Sequence, residues 1–572
     1  MEREFTLDES QLEAASIAPE ERQIVVAGPG SGKSEVVGAL AARLVEQGVY
    51  PPAILVISFS RAAVDVVRRR TESVTEEGQG VDLSTIDSLA ARVIAELVDE
   101  DVPFSSYDRN IELASTLLEQ ADEPVFDDLE HIIVDELQDV VGVRARFVEA
   151  LLTKAVRPDT GFSLLGDPMQ SIYGFAEKDL SVRSAERLLE RLQGRFRTTP
   201  RRLSGAYRAR TRDARRVAEA RNELLGLSGE CRLRQVRSLL AELTPLGGLD
   251  QEVARDISEW RGTTALLCDT NARAALLAEH CAALDLVVDV AESAAQPALA
   301  PWLAEVFAGE GSVVDRDEFL DRAAGADVAD PSEAWRALVT LSDSRRALDV
   351  QRLGARLADR TPPAALRRSP ESRVVASTVH RAKGLEFDNV VMVDPELWIR
   401  DARTDPDDAA RLLFVAASRA HSRLTVAHGP DATGWSRNGR GAQGRWEHRP
   451  FPRAFPDGTL ISPADLLPVE VSPSGRGLGA DSLVEWWRNE EGHVDADGES
   501  IPAWDAVSSG RVIATTGFDF GRYMARRRDV DRLQLLGGRV TGWETRISTG
   551  AAGRHEFPLL PRIAGPMMFE RS

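Results

Sequence analysis

The chain runs Ala27-Gly28-Pro29-Gly30-Ser31-Gly32-Lys33-Ser34 directly after the apolar stretch Ile24-Val25-Val26. A glycine-rich turn of this kind, between a strand and a helix, is a phosphate-binding loop. Its glycines let successive backbone N–H groups turn inward around phosphate oxygens. Lys33 supplies a mobile positive charge for the outer phosphates, and Ser34 offers a hydroxyl to Mg²⁺. The loop opens a helix, whose positive end also favours an anion. Gly28, Gly30, Ser31, Gly32, Lys33 and Ser34 are therefore the candidate nucleotide cradle. Ala27 stands where the pattern usually begins with glycine.

Roughly a hundred residues on, His131-Ile-Ile-Val-Asp135-Glu136-Leu-Gln138-Asp139 is an apolar strand ending in carboxylates. A buried parallel strand delivers its C-terminal end to the same sheet edge as the phosphate loop. Asp135 there can hold Mg²⁺, and Glu136 can orient or deprotonate an attacking water. A third strand, Phe162-Ser-Leu-Leu-Gly166-Asp167, runs into Pro168-Met169-Gln170-Ser171-Ile172-Tyr173-Gly174-Phe175. Gln170 is placed to feel a terminal phosphate, and Tyr173 or Phe175 to touch something stackable. That arrangement would couple nucleotide state to a base-stacking surface.

These segments, in this order, resemble the superfamily 1 DNA helicases of the UvrD/Rep/PcrA type. Leu7-Asp8-Glu9-Ser10-Gln11 resembles that family's adenine-reading segment, with Gln11 as a bidentate amide. Ile54 to Ala63, which includes Phe59, is similar to a DNA-contacting segment. Ser84-Thr85-Ile86-Asp87-Ser88 resembles another, with Asp87 in place of a histidine; a carboxylate there repels phosphate. Ala206-Tyr207-Arg208 resembles the segment in which a tyrosine stacks on adenine and an arginine reaches the γ-phosphate. Ala265 to Ala272 is like the strand ending in RTNA, with Asp269 replacing the arginine. Ser377 to Phe387 is close to THSAKGLEF, which implies His380 near the DNA backbone and Glu386 at the ribose. Leu412 to Ala420 resembles LLYVALTRA, with Arg419 as the second γ-phosphate arginine.

The resemblance spans about residues 1–275 and 372–428. It implies an ATP- and Mg²⁺-dependent motor on single-stranded DNA, with helicase activity and 3′→5′ travel. Lys33, Glu136, Gln170, Arg208 and Arg419 would be catalytic, and Phe59, Tyr173, Phe175 and His380 would contact DNA. It also implies an α/β fold: two RecA-like lobes of parallel sheet wrapped by helices. The first lobe is expected at 1–88 and 131–200, the second at 201–283 and 372–430. Helical inserts at 89–130 and 284–371 are shorter than the family's, and such inserts commonly grip duplex DNA. Translocation is therefore a safer inference than strong unwinding. UvrD-like proteins with reduced inserts also occur as subunits beside nucleases in phage defence, and a nucleotide-switched scaffold on a machine such as RNA polymerase is a further reading.

Composition narrows the remainder. The net charge is −21, so DNA would bind in a locally basic groove rather than over the whole surface. Only four lysines occur, at 33, 154, 178 and 383, and arginine carries the other positive charge. An acidic, lysine-poor surface suits a salty cytosol. The absence of lysine after Lys383 excludes a lysine-dependent nuclease in the C-terminal region. The three cysteines, Cys231, Cys268 and Cys281, have no CxxC spacing, which excludes a four-cysteine cluster and fits a reduced, cytoplasmic protein. No signal segment and no apolar run of about 18–20 residues is visible, so no membrane is expected.

Residues 431–572 resemble nothing by motif and are a candidate surface for a protein partner. Residues 429–480 read as loop-rich, and Ser482–Asn489 as a short amphipathic helix whose paired tryptophans sit in the core. Arg511–Thr516 and Arg532–Val540 read as strands, and Arg526-Arg527-Arg528 is a basic cluster.

Overall fold

The computed structural model describes residues 7–57, 67, 80–98, 106–172, 185–198, 200–291, 298–307, 313–342, 347–359, 362–370, 372–399, 405–439, 444–451, 454–469, 483–494, 498–527, 530–549 and 553–571. The chain divides into two compact units. One comprises 1–244, 383–390 and 395–426, and the other 245–382, 391–394 and 427–572.

The first unit is built on a six-stranded sheet of β1 (Arg22–Ala27), β2 (Ile54–Ile57), β3 (Asp82–Ser84), β4 (His131–Val134), β5 (Gly161–Gly166) and β6 (Pro200–Leu203). Their order is β3-β2-β4-β5-β1-β6, and every pairing is parallel. Both faces are covered, so the strands read as continuous apolar runs rather than alternating ones. β2 and β4 are buried at every position. On one face lie Val36, Val37, Leu40 and Leu44 of helix Lys33–Glu46. On the other lie Leu89 and Val93 of helix Ile86–Leu97 and Ile111 and Leu118 of helix Tyr107–Gln120. The last two helices begin on capping hydroxyls: Thr85 accepts from the Ser88 N–H and Ser106 from the Arg109 N–H.

A second sheet has the order β7 (Pro245–Gly248), β14 (Ala420–His428), β13 (Phe387–Val393), β8 (Thr264–Cys268), β12 (Val374–Thr378) and β9 (Asp289–Val290). β8, β12 and β9 run parallel. The two sheets with their helices are RecA-like lobes of an α/β fold. Between β9 and β12, a hairpin of β10 (Val313–Asp315) and β11 (Ala347–Asp349) accompanies helices Trp302–Val306, Arg316–Ala324, Pro331–Ser342 and Val350–Asp359. Phe319, Trp335, Leu338 and Leu353 form their core.

The C-terminal region departs from its sequence reading. It is a nine-stranded sheet spanning residues 435–571, with long strands at Leu483–Val494, Leu533–Thr545 and Leu559–Arg571 and short ones within 435–467. An amphipathic helix is expected at Ser482–Asn489, but Leu483–Val494 is a strand. Val484 and Trp486 are buried while Leu483, Glu485 and Trp487 face out, which is a period of two. The paired tryptophans therefore part: Trp486 joins the core and Trp487 is 54 % exposed. Pairing with Ser500–Ser508 overrides the local pattern, because a stretch as short as Ser482–Asn489 does not distinguish the two periods. Arg511–Thr516 is a strand, as expected, and Leu533–Thr545 extends the second expected one.

Candidate active site

The phosphate loop follows β1, and its shape explains its glycines. Gly30 and Gly32 have φ of +70° and +78°, a region side chains rarely adopt. A Cβ on Gly30 would lie 2.4 Å from Cβ of Arg208, and one on Gly32 would lie 2.3 Å from Nε2 of Gln11. A Cβ on Gly28 would meet Cδ of Arg221 at 2.8 Å. Ser31 folds the loop on itself, its hydroxyl donating to the Gly28 carbonyl at 2.9 Å.

Lys33 opens the helix and its Nζ lies 2.6 Å from Glu136 Oε2 and 3.9 Å from Asp135 Oδ1. Burial works against its charge, but the two carboxylates outweigh burial and hold its pKa above the usual value. Burial would likewise neutralise Glu136, yet Lys33 keeps that carboxyl well below its ordinary range, at about 2. Asp135, fully enclosed, is pushed up to about 7 by burial, against the pull of Lys33. Glu136 has φ of 54°, a left-handed conformation unusual for a non-glycine residue and typical of strained functional positions.

Gln138 is a residue that the sequence reading left without a role. Its Nε2 donates to Glu136, and its Oε1 accepts from the Asp167 N–H at 2.9 Å. It thus ties the end of β4 to the end of β5. Asp167 is a hub: it accepts from the Met169 N–H at 3.1 Å, Gln170 Nε2 at 3.0 Å and Arg221 Nε at 3.0 Å. Arg221, on helix Arg212–Leu225, was also missed. Nothing local marks it, since its partner is 54 positions away.

The two arginines lie at this group. Arg208 follows Tyr207, whose N–H donates to the Gly30 carbonyl at 2.9 Å, and its guanidinium pairs with Glu386. Arg419 comes just after helix Pro406–Ala417 and is 2 % exposed. Its Nη2 donates to Gln170 Oε1 at 3.2 Å. Burial, and then the charge of Arg208, push its pKa down to about 10. Lys383 Nζ donates to Asp139 and, at 2.5 Å, to the Gln170 carbonyl. Lys33, Glu136, Gln170, Arg208 and Arg419 therefore belong to one polar group around the loop.

Several expected residues have other partners. The Gln11 amide is buried and committed within the chain: Oε1 accepts from the Asp8 N–H at 2.9 Å, and Nε2 donates to the Ser31 carbonyl at 2.8 Å. Here it braces the loop instead of presenting a free bidentate edge. Tyr207 is half exposed and its hydroxyl donates to Asp8. Glu386, expected at a ribose, pairs with Arg208 and with His421 Nε2 at 2.8 Å. Asp87 is neutralised by Arg144, and Asp269 lies 3.6 Å from Arg273. His380 lies on helix Val379–Ala382, half-buried. Phe59, Tyr173 and Phe175 lie outside the described residues.

The group also fits a nucleotide and its cation. Oδ2 of Asp135 is buried without a hydrogen-bond partner, and Ser34 stands in the first turn of the helix. Carboxylate and hydroxyl oxygens are the hard donors that Mg²⁺ takes. Among the described residues, no helix is long and apolar enough to cross a membrane.

Residues 11–176 match a family model described as an AAA domain, and residues 373–427 match the UvrD-like helicase C-terminal domain. No curated protein matches the chain in sequence. A similar solved structure is a Pif1 helicase from Bacteroides in complex with ADP-AlF3 and ssDNA. It is 14 % identical, covers 74 % of this chain and 92 % of that chain, and has a TM-score of 0.30. The two family models fall in order on the segments that hold Lys33, Glu136 and Gln170 and then Arg419, so over these residues the chain is similar first to an AAA domain and then to the UvrD-like helicase C-terminal domain.

Proposed function

We propose that the protein is an ATP-dependent translocase on single-stranded DNA, with helicase activity and 3′→5′ polarity as the subfamily resemblance implies. One observation supports this most: Arg419 and Lys383 both bond Gln170, while Gln170 also bonds Asp167 behind the phosphate loop. A residue that feels the terminal phosphate is thus wired to the segment leading into Tyr173 and Phe175.

Ser34 and Asp135 would hold Mg²⁺, which neutralises charge on the phosphates. An incoming phosphate competes with Glu136 for Lys33 and frees the Glu136 carboxylate, already ionised, to take a proton from water. Arg208 and Arg419 then face the charge that develops on the terminal phosphate, a role worth about 10³–10⁵ in rate for such arginines. Tyr207 is the ring offered to adenine, and Gln11 reads the base only by releasing Asp8 or Ser31. Phe59, Tyr173, Phe175 and His380 would meet the strand. The working location is the cytoplasm.

The test is ATP turnover with and without single-stranded DNA, alongside unwinding of duplexes tailed at either end. Turnover that rises with DNA and disappears in Lys33→Ala is expected. Turnover indifferent to DNA, or persisting in Lys33→Ala, overturns the reading.

A further inference from the structure

We infer that the C-terminal sheet carries its own surface for single-stranded nucleic acid, centred on Phe455, Arg522 and Arg526. The inference rests on the reading that this chain handles single strands, but not on the motor site.

The first observation is one of charge. The whole chain is strongly acidic, yet residues 431–572 hold 18 arginines against 19 carboxylates, close to balance. Within them, residues 511–532 hold six arginines and three aspartates.

The second is the way a ring is held in water. Phe455 is 87 % exposed, and Phe451, whose carbonyl accepts from the Ala454 N–H at 2.9 Å, is 63 % exposed. Exposed phenyl rings ordinarily sit on mobile tips, but this one is clamped on both sides. The carbonyl before it, Ala454, accepts from Arg449 Nη1 at 2.8 Å, and the carbonyl after it, Pro456, accepts from Arg527 Nη1 at 2.7 Å. Both clamps are themselves fixed. Arg449 pairs with the buried Glu447 at 2.7 Å. Arg527 bonds the Tyr523 hydroxyl at 3.0 Å and lies 4.1 Å from the centre of the Phe569 ring. Ordering the backbone around an apolar side chain while leaving that side chain in water gains nothing for folding.

The third is the adjoining helix, Phe518–Ala525, which ends at the residues that make the clamp. It buries Phe520, Gly521 and Met524. Its outer face carries Phe518, Arg522 and Arg526, four residues apart, all exposed. Asp519 offsets part of this charge through Arg522 at 3.7 Å. At one end His493 stacks on Phe518 with ring centres 4.6 Å apart, and at the other Arg526 adjoins Arg527 and so Phe455.

Rings interleaved with arginines suit single strands, because bases stack without regard to sequence and arginines take the phosphates. A buried apolar partner would not need the arginines, and a duplex offers no open base faces. The structure therefore points to bases on Phe455 and Phe518 and phosphates on Arg522 and Arg526.

The test uses the full chain carrying Lys33→Ala, without ATP, and a fluorescent oligothymidylate titrated across salt concentrations. Phe455→Ala should weaken binding about tenfold, and Phe455→Trp should retain it. Arg522→Ala with Arg526→Ala should lower the slope of log affinity against log salt by about 1.4. Circular dichroism and melting should match the parent in all three. Affinity within twofold of the parent in Phe455→Ala, or an unchanged salt slope in the arginine pair, overturns the inference. DNA stimulation of turnover, measured on the chain with Lys33 intact, reads the motor separately, so either proposal can fail alone.

Discussion

Arg221→Met tests whether Asp167 is the hub of the nucleotide site. The pair is enclosed, with side-chain exposures of 5 % for Arg221 and 0 % for Asp167, and its atoms lie 3.0 Å apart. Solvent screening therefore does little to weaken it. Methionine keeps the apolar stem that passes the phosphate loop at Gly28 but removes the charge. Asp167 then keeps hydrogen bonds from the Met169 N–H and the Gln170 amide and feels Lys33 and Arg419, but it loses its directly bonded cation. Removing one partner of such a pair costs about 3–5 kcal/mol, chiefly because the other charge is stranded. For a unit of this size, each kcal/mol moves the melting midpoint by about 2–4 °C, so a drop of about 6–20 °C is expected. Asp167→Asn in the Arg221→Met background removes the stranded charge and should restore more than half of the loss. Turnover should fall in the single variant, since Gln170 Nε2 is anchored on Asp167. The assay is differential scanning fluorimetry of the two singles and the double, with ATP turnover at permissive temperature. A single variant melting within 2 °C of the parent, or a double variant no better than the single, refutes the hub.

Other outcomes follow from the same geometry. Glu136→Gln should slow ATP hydrolysis by about 10²–10⁴ while nucleotide binding persists, which a fluorescent ATP analogue checks; equal loss of both would make Glu136 structural. His131 is buried between the Pro19 carbonyl and the Ser163 hydroxyl, and burial pushes its pKa down to about 4. The unfolded chain therefore takes up a proton near pH 6.5 that the folded chain refuses. The contribution is complete above pH 6.5 and is lost as pH falls toward 4, amounting to about 3 kcal/mol. His131→Gln should flatten the dependence of urea midpoint on pH in that window, and parallel curves would count against this assignment.

The order of chemistry along the chain was legible without coordinates. A phosphate loop, an acidic strand end and a strand leading to Gln170 each depend on a few adjacent residues, because the backbone shapes they need are local. Strands buried on both faces, such as Ile54–Ile57 and His131–Val134, announce themselves as apolar runs for the same reason. Tertiary structure alone decided which partner each polar side chain takes. Gln11 braces Ser31, Arg144 neutralises Asp87, and Arg221 reaches Asp167, and in each case the bond joins positions at least 20 residues apart. Long-range pairing also turned Leu483–Val494 into a strand, since a short amphipathic stretch takes its period from the neighbour against which it hydrogen-bonds.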